Sequence, residues 1–215
     1  MPRQDYEKFI RLADTELGNQ FYITTINNDA HHSTPWLKVK KKNTLFVMDP
    51  KTASLDRGGI FVDVFPFDEI SEKSKTESYR LMVYSIISAC INWRKNRTDA
   101  TWKIKLLSKL LTPVPISVLS KFMNKCVIGH GNMMICYGGA YPLQRKKYKI
   151  TDILPTTNIM FEGKAYPAPQ HFDAVLQQLY GEDYMLLPPV EKRKTHLPQL
   201  ISFDVENDQL SEWMQ

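Results

Sequence analysis

The sequence predicts a mixed α/β (α+β) domain, on three observations. Apolar residues recur at helical spacing near the start, in the middle and near the end of the chain. Short runs rich in Val, Ile, Thr and aromatic residues lie between those stretches. Of 215 residues, 43% are hydrophobic and 24% charged, enough to bury one core, so residues 1–215 read as a single domain. Nine Gly and 13 Pro, with no repeat of solenoid period, exclude collagen-like, low-complexity and solenoid chains.

The first element is a helix. Tyr6, Phe9, Ile10, Ala13 and Leu17 fall on one helical face, Pro2 suits the first turn and Gly18 supplies a C-terminal stop. Phe21 to Ile26 and Trp36 to Met48 read as two strands around the turn-prone NNDAHHSTP. His31 and His32 in that loop lack a third partner at metal spacing and read as surface polar residues.

Gly58 to Asp68, GGIFVDVFPFD, alternates Ile60, Val62 and Val64 with Phe61, Asp63 and Phe65. That is a strand apolar on both faces apart from one carboxylate. An ionised Asp there is costly unless paired. Two readings stand: a salt bridge to a neighbouring Arg or Lys, or a metal ligand, since Mg²⁺ favours carboxylates together with phosphate oxygens.

Ser71 to Asn96 reads as a helix with a Ser cap, Glu72 in its first turn and Arg94-Lys95 at its end. Trp102 to Leu111 sets lysines among leucines until Pro113 and Pro115 stop it. Such a segment either packs its leucines on the core or lies on a membrane surface. Gly138-Gly139 after Tyr137 and Pro188-Pro189 after Leu187 mark turns, and His171 to Tyr180 is a short helix closed by Gly181. YGGAYP is not a phosphate loop, because neither GxGxxG nor GxxxxGK is present.

Charge is unevenly distributed. The net charge is +5, yet Ala100 to Thr151 holds nine basic residues and no acidic one, leaving 19 basic against 23 acidic residues elsewhere. Such a stretch attracts anions: nucleotide phosphates, an anionic lipid surface or a nucleic acid backbone. Nucleic acid is set aside, because no aromatic interleaving or reading-helix signature accompanies the charges. Three widely spaced cysteines suit neither a disulfide framework nor a zinc knuckle and read as reduced thiols. The opening residues lack the apolar run of a signal peptide. Leu81 to Trp93, the longest apolar run, falls short of the ~20 residues a spanning helix needs. A cytoplasmic protein is expected.

Four blocks, in order along nearly the whole chain, carry a family resemblance: MPRQDYEKF; LKVKKKNT; GGIFVDVFPFD; and a closing series from FEGKAYPAPQHFD to LYGEDYMLLPP, followed by Arg193 and His196. The combination resembles the LicD family, which includes bacterial phosphocholine transferases and the fukutin-related glycan phosphotransferases of animals. The resemblance implies a nucleotidyltransferase-like fold, a mixed sheet flanked by helices. It implies a metal-dependent phosphotransferase moving phosphocholine, or a related phosphoryl-linked group, from a CDP-activated donor. The acceptor would be a sugar hydroxyl of a cell-surface polysaccharide, lipopolysaccharide or teichoic acid. A donor carrying another activated polyol or sugar phosphate keeps the same class.

By its block, Asp63 matches the third carboxylate of the family's metal set, holding Mg²⁺ or another divalent cation. Lys38 and Lys40, two apart on a strand, share a face and could hold phosphate oxygens, or else be solvent-facing lysines on a strand edge. Arg3 and Asp68, in the first and third blocks, join them as substrate-binding candidates. For choline, an aromatic box is needed; Trp36, Tyr137, Tyr141 and Tyr166 are its candidates, with plain packing as the alternative. A peripheral location on anionic membrane is compatible with a lipid-linked glycan acceptor.

One departure bears on chemistry. The family's acidic run, of the form WDDDIDI, lies just before the block matched by MPRQDYEKF, and no DxD or DDD occurs in these 215 residues. The expectation is a domain lacking its first helix and first metal-bearing strand, through a start placed at an internal methionine or a truncated gene. One carboxylate rarely holds Mg²⁺ productively, so little or no turnover is expected of the chain as written. The alternative function is a non-catalytic remnant that binds membrane or glycan through its basic stretch.

Overall fold

The computed structural model describes residues 1–47, 59–72, 76–97, 99–137, 146–193 and 198–206. These form an α+β architecture of helices and several small antiparallel sheets.

Helix α1 (Arg3–Glu16) starts behind Pro2, has Asp5 in its first turn and ends where Gly18 takes φ +70°, as its spacing predicts. Its apolar face, Tyr6 and Ala13 with Phe9, Ile10 and Leu17, packs on Ile23 and Leu37. Those two belong to a three-stranded antiparallel sheet of order β1–β2–β4, built from β1 (Phe21–Thr24), β2 (Leu37–Lys41) and β4 (Phe61–Val64). Side chains alternate across a pleated sheet. Ile23, Leu37, Val39 and Val64 therefore serve the α1 side, while Tyr22, Thr24, Lys38, Lys40, Phe61 and Asp63 occupy the other face.

The predicted strand from Trp36 to Met48 is two strands. After β2 the chain turns through Asn43, at φ +56°, and resumes as β3 (Leu45–Val47), which pairs with β10 (Leu200–Ser202) around buried Leu45, Val47 and Val205. Met48 lies outside the described residues, as do Gly58, Gly138, Gly139, Tyr141, Arg145 and His196.

A second core lies between helices α2 (Glu77–Asn96) and α4 (Ile116–Val127) and the antiparallel sheet of β5 (Asp68–Ile70), β6 (Met133–Ile135) and β7 (Lys147–Lys149). Ile70, Ile87, Ile91, Leu119, Met123, Val127 and Ile135 fill it. Helix α2 begins five residues later than the sequence predicts: Thr76, not Ser71, is its N-cap and Glu77, not Glu72, its first-turn acid. Helix α3 (Trp102–Leu110) joins α2 and α4, its C-terminal turn held by the Arg94 guanidinium, which donates to the carbonyls of Leu111 and Val114.

Further on come α5 (Ile150–Ile153), a hairpin of β8 (Thr157–Phe161) and β9 (Lys164–Ala168), and α6 (Phe172–Tyr180). The hairpin turns through Glu162 and Gly163, both at positive φ, the geometry a two-residue turn demands. Among the described residues no helix is long and apolar enough to cross a membrane.

Candidate functional site

The polar face of the β1–β2–β4 sheet gathers three of the predicted residues. The antiparallel register sets Lys38 between Thr24 and Asp63, and Lys40 between Tyr22 and Phe61. Gly59 makes this register possible. At φ +62° it brings the chain so close to β2 that a Cβ would lie 2.7 Å from the Lys41 carbonyl oxygen. Its N–H donates to Thr44 O (3.0 Å), and the next N–H, of Ile60, to Thr44 Oγ1 (2.9 Å).

Asp63 does not sit in a strand buried on both faces. β4 is short, Val62 is exposed and Asp63 is half-buried. The carboxylate partner is an indole: Trp36 Nε1 donates to Asp63 Oδ1 at 2.9 Å. Trp36 packs against Phe65, ring centroids 4.9 Å apart and planes inclined by 40°. The other carboxylate oxygen makes no hydrogen bond to any described residue.

Trp36 is placed by the loop between β1 and β2. His32, expected at the surface, is buried there. Its Nε2 lies 2.7 Å from Trp36 O and 3.1 Å from Thr34 O. Carbonyls only accept, so Nε2 carries the proton and Nδ1 accepts from Thr24 Oγ1 at 3.0 Å. Burial lowers the His32 pKa, and the hydrogen bond to Trp36 O opposes that shift. Lys95, near the end of α2, fastens the same loop: Nζ donates to the carbonyls of Ile26 (2.6 Å), Asp29 (2.6 Å) and His32 (2.8 Å), one for each ammonium proton. Burial lowers its pKa as well.

The two lysines differ. β2 is the central strand, so neither stands on a sheet edge. Lys38 is half-buried with Nζ 4.0 Å from the Phe61 ring centroid, a cation–π contact. Lys40 is 2% exposed. A phosphate arriving from solvent therefore meets Lys38 first.

Arg3 and Asp68 lie elsewhere and are tied to each other. Arg3 Nε and Nη2 donate to Asp68 Oδ1 and Oδ2 at 2.8 and 2.6 Å, a bidentate pair with both side chains buried. Burial pushes the Asp68 carboxyl above its ordinary value, and the hydrogen bond from Arg3 pulls it back part of the way. Around the pair the N-terminus runs parallel to residues 65–67: Met1 N donates to Phe65 O, Phe67 N to Met1 O and Arg3 N to Phe67 O. Arg3 and Asp68 line a cleft of about 430 Å³ with Asp5, Glu7, Glu69 and His130.

The described aromatic candidates, Trp36, Tyr137 and Tyr166, do not converge. Tyr137 is buried against Tyr84 in the second core and Tyr166 packs on Phe161 in the β8–β9 hairpin. Of these three, Trp36 belongs to the Asp63 face. Sequence reasoning missed Trp36 as the holder of the carboxylate, and His32 and Lys95 as holders of Trp36. The two-residue alternation Trp36, Lys38, Lys40 was the available signal for the first.

A divalent cation needs more donors than this face supplies. Asp63 brings one carboxylate with one oxygen already engaged, and among the described residues no three His, Cys, Asp or Glu side chains are grouped to hold a metal. The described donor set does not fit a carboxylate clamp.

What the arrangement offers chemically is a half-buried lysine, Lys38, opposite one oriented carboxylate, Asp63, on adjacent strands. Comparison with known proteins finds no family model, no curated protein and no solved structure that matches this chain.

Proposed function

We propose that the chain is a LicD-type, nucleotidyltransferase-like domain that binds a CDP-activated donor, of the CDP-choline kind, on the polar face of the β1–β2–β4 sheet. The reaction it serves moves phosphocholine, or a related phosphoryl-linked group, to a sugar hydroxyl of a cell-envelope glycan. The observation that carries this reading is Lys38 opposite Asp63 in register, with the carboxylate oriented by Trp36.

Displacement at a pyrophosphate phosphorus builds charge on the departing nucleotide's oxygens, so the protein's part is placement and charge. Lys38 supplies the positive charge at the mouth of the site. Asp63 is the carboxylate that the family resemblance assigns to a divalent ion; with a single carboxylate in place, donor binding is the activity to measure first.

Calorimetric titration with CDP-choline tests this. The expected result is saturable binding that weakens about tenfold or more in Lys38→Gln, the loss of one charge-assisted phosphate contact. Binding unchanged in that variant, or no binding of any cytidine diphosphate, would remove the reading.

A further inference from the structure

Helix α3 carries two apolar stripes. Ile104 and Leu107 are half-buried on the side of the buried Ser108. Trp102, Leu106 and Leu110, four residues apart, lie in line on the opposite side and are 70%, 50% and 69% exposed. With about 100° of turn per residue, Lys105 and Lys109 flank this outer stripe on one side and Lys103 on the other. Lys103 Nζ stands 5.9 Å from the Trp102 ring centroid.

Scattered exposed apolar residues are ordinary, but an aligned Trp-Leu-Leu stripe between lysines is not. The helix is also firmly presented, since Arg94 anchors the turn that follows it. On α4 the exposed Val118 and Phe122, four apart, repeat the pattern beside exposed Lys121 and Lys125. No acidic residue interrupts the sequence from Ala100 to Thr151.

We propose that α3 docks this protein on an anionic phospholipid surface, with Trp102, Leu106 and Leu110 at the boundary of headgroups and acyl chains and the flanking lysines at the phosphate level. The charge pattern selects this occupant. A second copy would set lysines against lysines. A nucleic acid would use the lysines and leave the leucines in water. A bilayer satisfies both, because Trp favours the interface and lysines near an anionic leaflet add attraction that salt weakens. The inference does not depend on the donor site.

The test uses the full chain with phosphatidylcholine vesicles, with and without phosphatidylglycerol. Expected are co-sedimentation with the anionic vesicles alone, release by salt and a blue shift of tryptophan emission that Trp102→Phe abolishes. Lys103→Gln/Lys105→Gln/Lys109→Gln should weaken binding on the order of a hundredfold. Leu106→Ser/Leu110→Ser should abolish it without lowering the thermal unfolding midpoint, because both side chains face solvent. The proposal is overturned if anionic vesicles do not bind, or if binding survives both sets of substitutions. It is equally overturned if the leucine variant merely dissociates a dimer, which would assign the stripe to a second copy.

Discussion

The indole N–H of Trp36 holds the Asp63 carboxylate at 2.9 Å across 27 positions of sequence, joining the start of β2 to the strand beside it. Trp36→Phe keeps an aromatic ring beside Phe65 and removes the indole donor. Because Asp63 is half-exposed, the expected loss is about 1 kcal/mol of stability, at the modest end for a hydrogen bond to a charged group. Urea denaturation measures it. The same variant should lower affinity for CDP-choline, since the carboxylate is then free to rotate; an unchanged affinity would detach Trp36 from the site.

Arg3→Ala leaves Asp68 buried without its cation. Removing one member of a buried pair costs about 3–5 kcal/mol, whereas replacing both with apolar residues is often neutral. Arg3→Met/Asp68→Leu should therefore recover most of what Arg3→Ala loses in chemical denaturation. If the double variant is no better than the single one, the pair does more than tie the N-terminus to β5.

His32 makes stability depend on pH. Its folded pKa lies below the ordinary 6.5 because of burial. The unfolded chain therefore takes up the proton first as pH falls. The contribution is fully present above 6.5 and is lost as pH drops through the folded value. Urea midpoints of the native protein should decline across that window, and those of His32→Gln should decline less. Parallel curves would show that another group governs the dependence.

Gly59→Ala tests the register. The position has φ +62° and a Cβ there would sit 2.7 Å from Lys41 O, so β4 must move away from β2. The expected cost is on the order of 1–3 kcal/mol, with a parallel loss of donor affinity because Asp63 no longer faces Lys38. Loss of stability with donor affinity intact would separate the register from the site.

Local features of the fold were legible in the sequence. The spacing of Tyr6, Phe9, Ile10 and Ala13 defined α1, and Gly181 closed α6, because capping and amphipathicity act within a few residues. Ser71 and Glu72 imitated a helix start that Thr76 and Glu77 supply, and nothing local distinguishes the two. The break at Asn43 hid inside a run of strand-forming residues. Helix α4 and strands β6 and β7, three residues each, were passed over beside the conspicuous lysines.

The site was half legible. Lys38 and Lys40 share a sheet face, because strand alternation is local, whereas Asp63 joins them only through the pairing of β2 with β4. The bond from Trp36 to Asp63, the burial of His32 and the pairing of Arg3 with Asp68 across 65 positions depend on tertiary contacts that periodicity does not carry. The expectation of a carboxylate embedded in an apolar strand failed because β4 is short and leaves Val62 in solvent.

The most direct measurement is a two-dimensional amide NMR titration of the protein with CDP-choline. The account predicts shifts concentrated on Thr24, Lys38 and Asp63 and on the Trp36 indole N–H. Shifts confined to Arg3, Glu69 and His130 in the N-terminal cleft, or none at saturating donor, would contradict it.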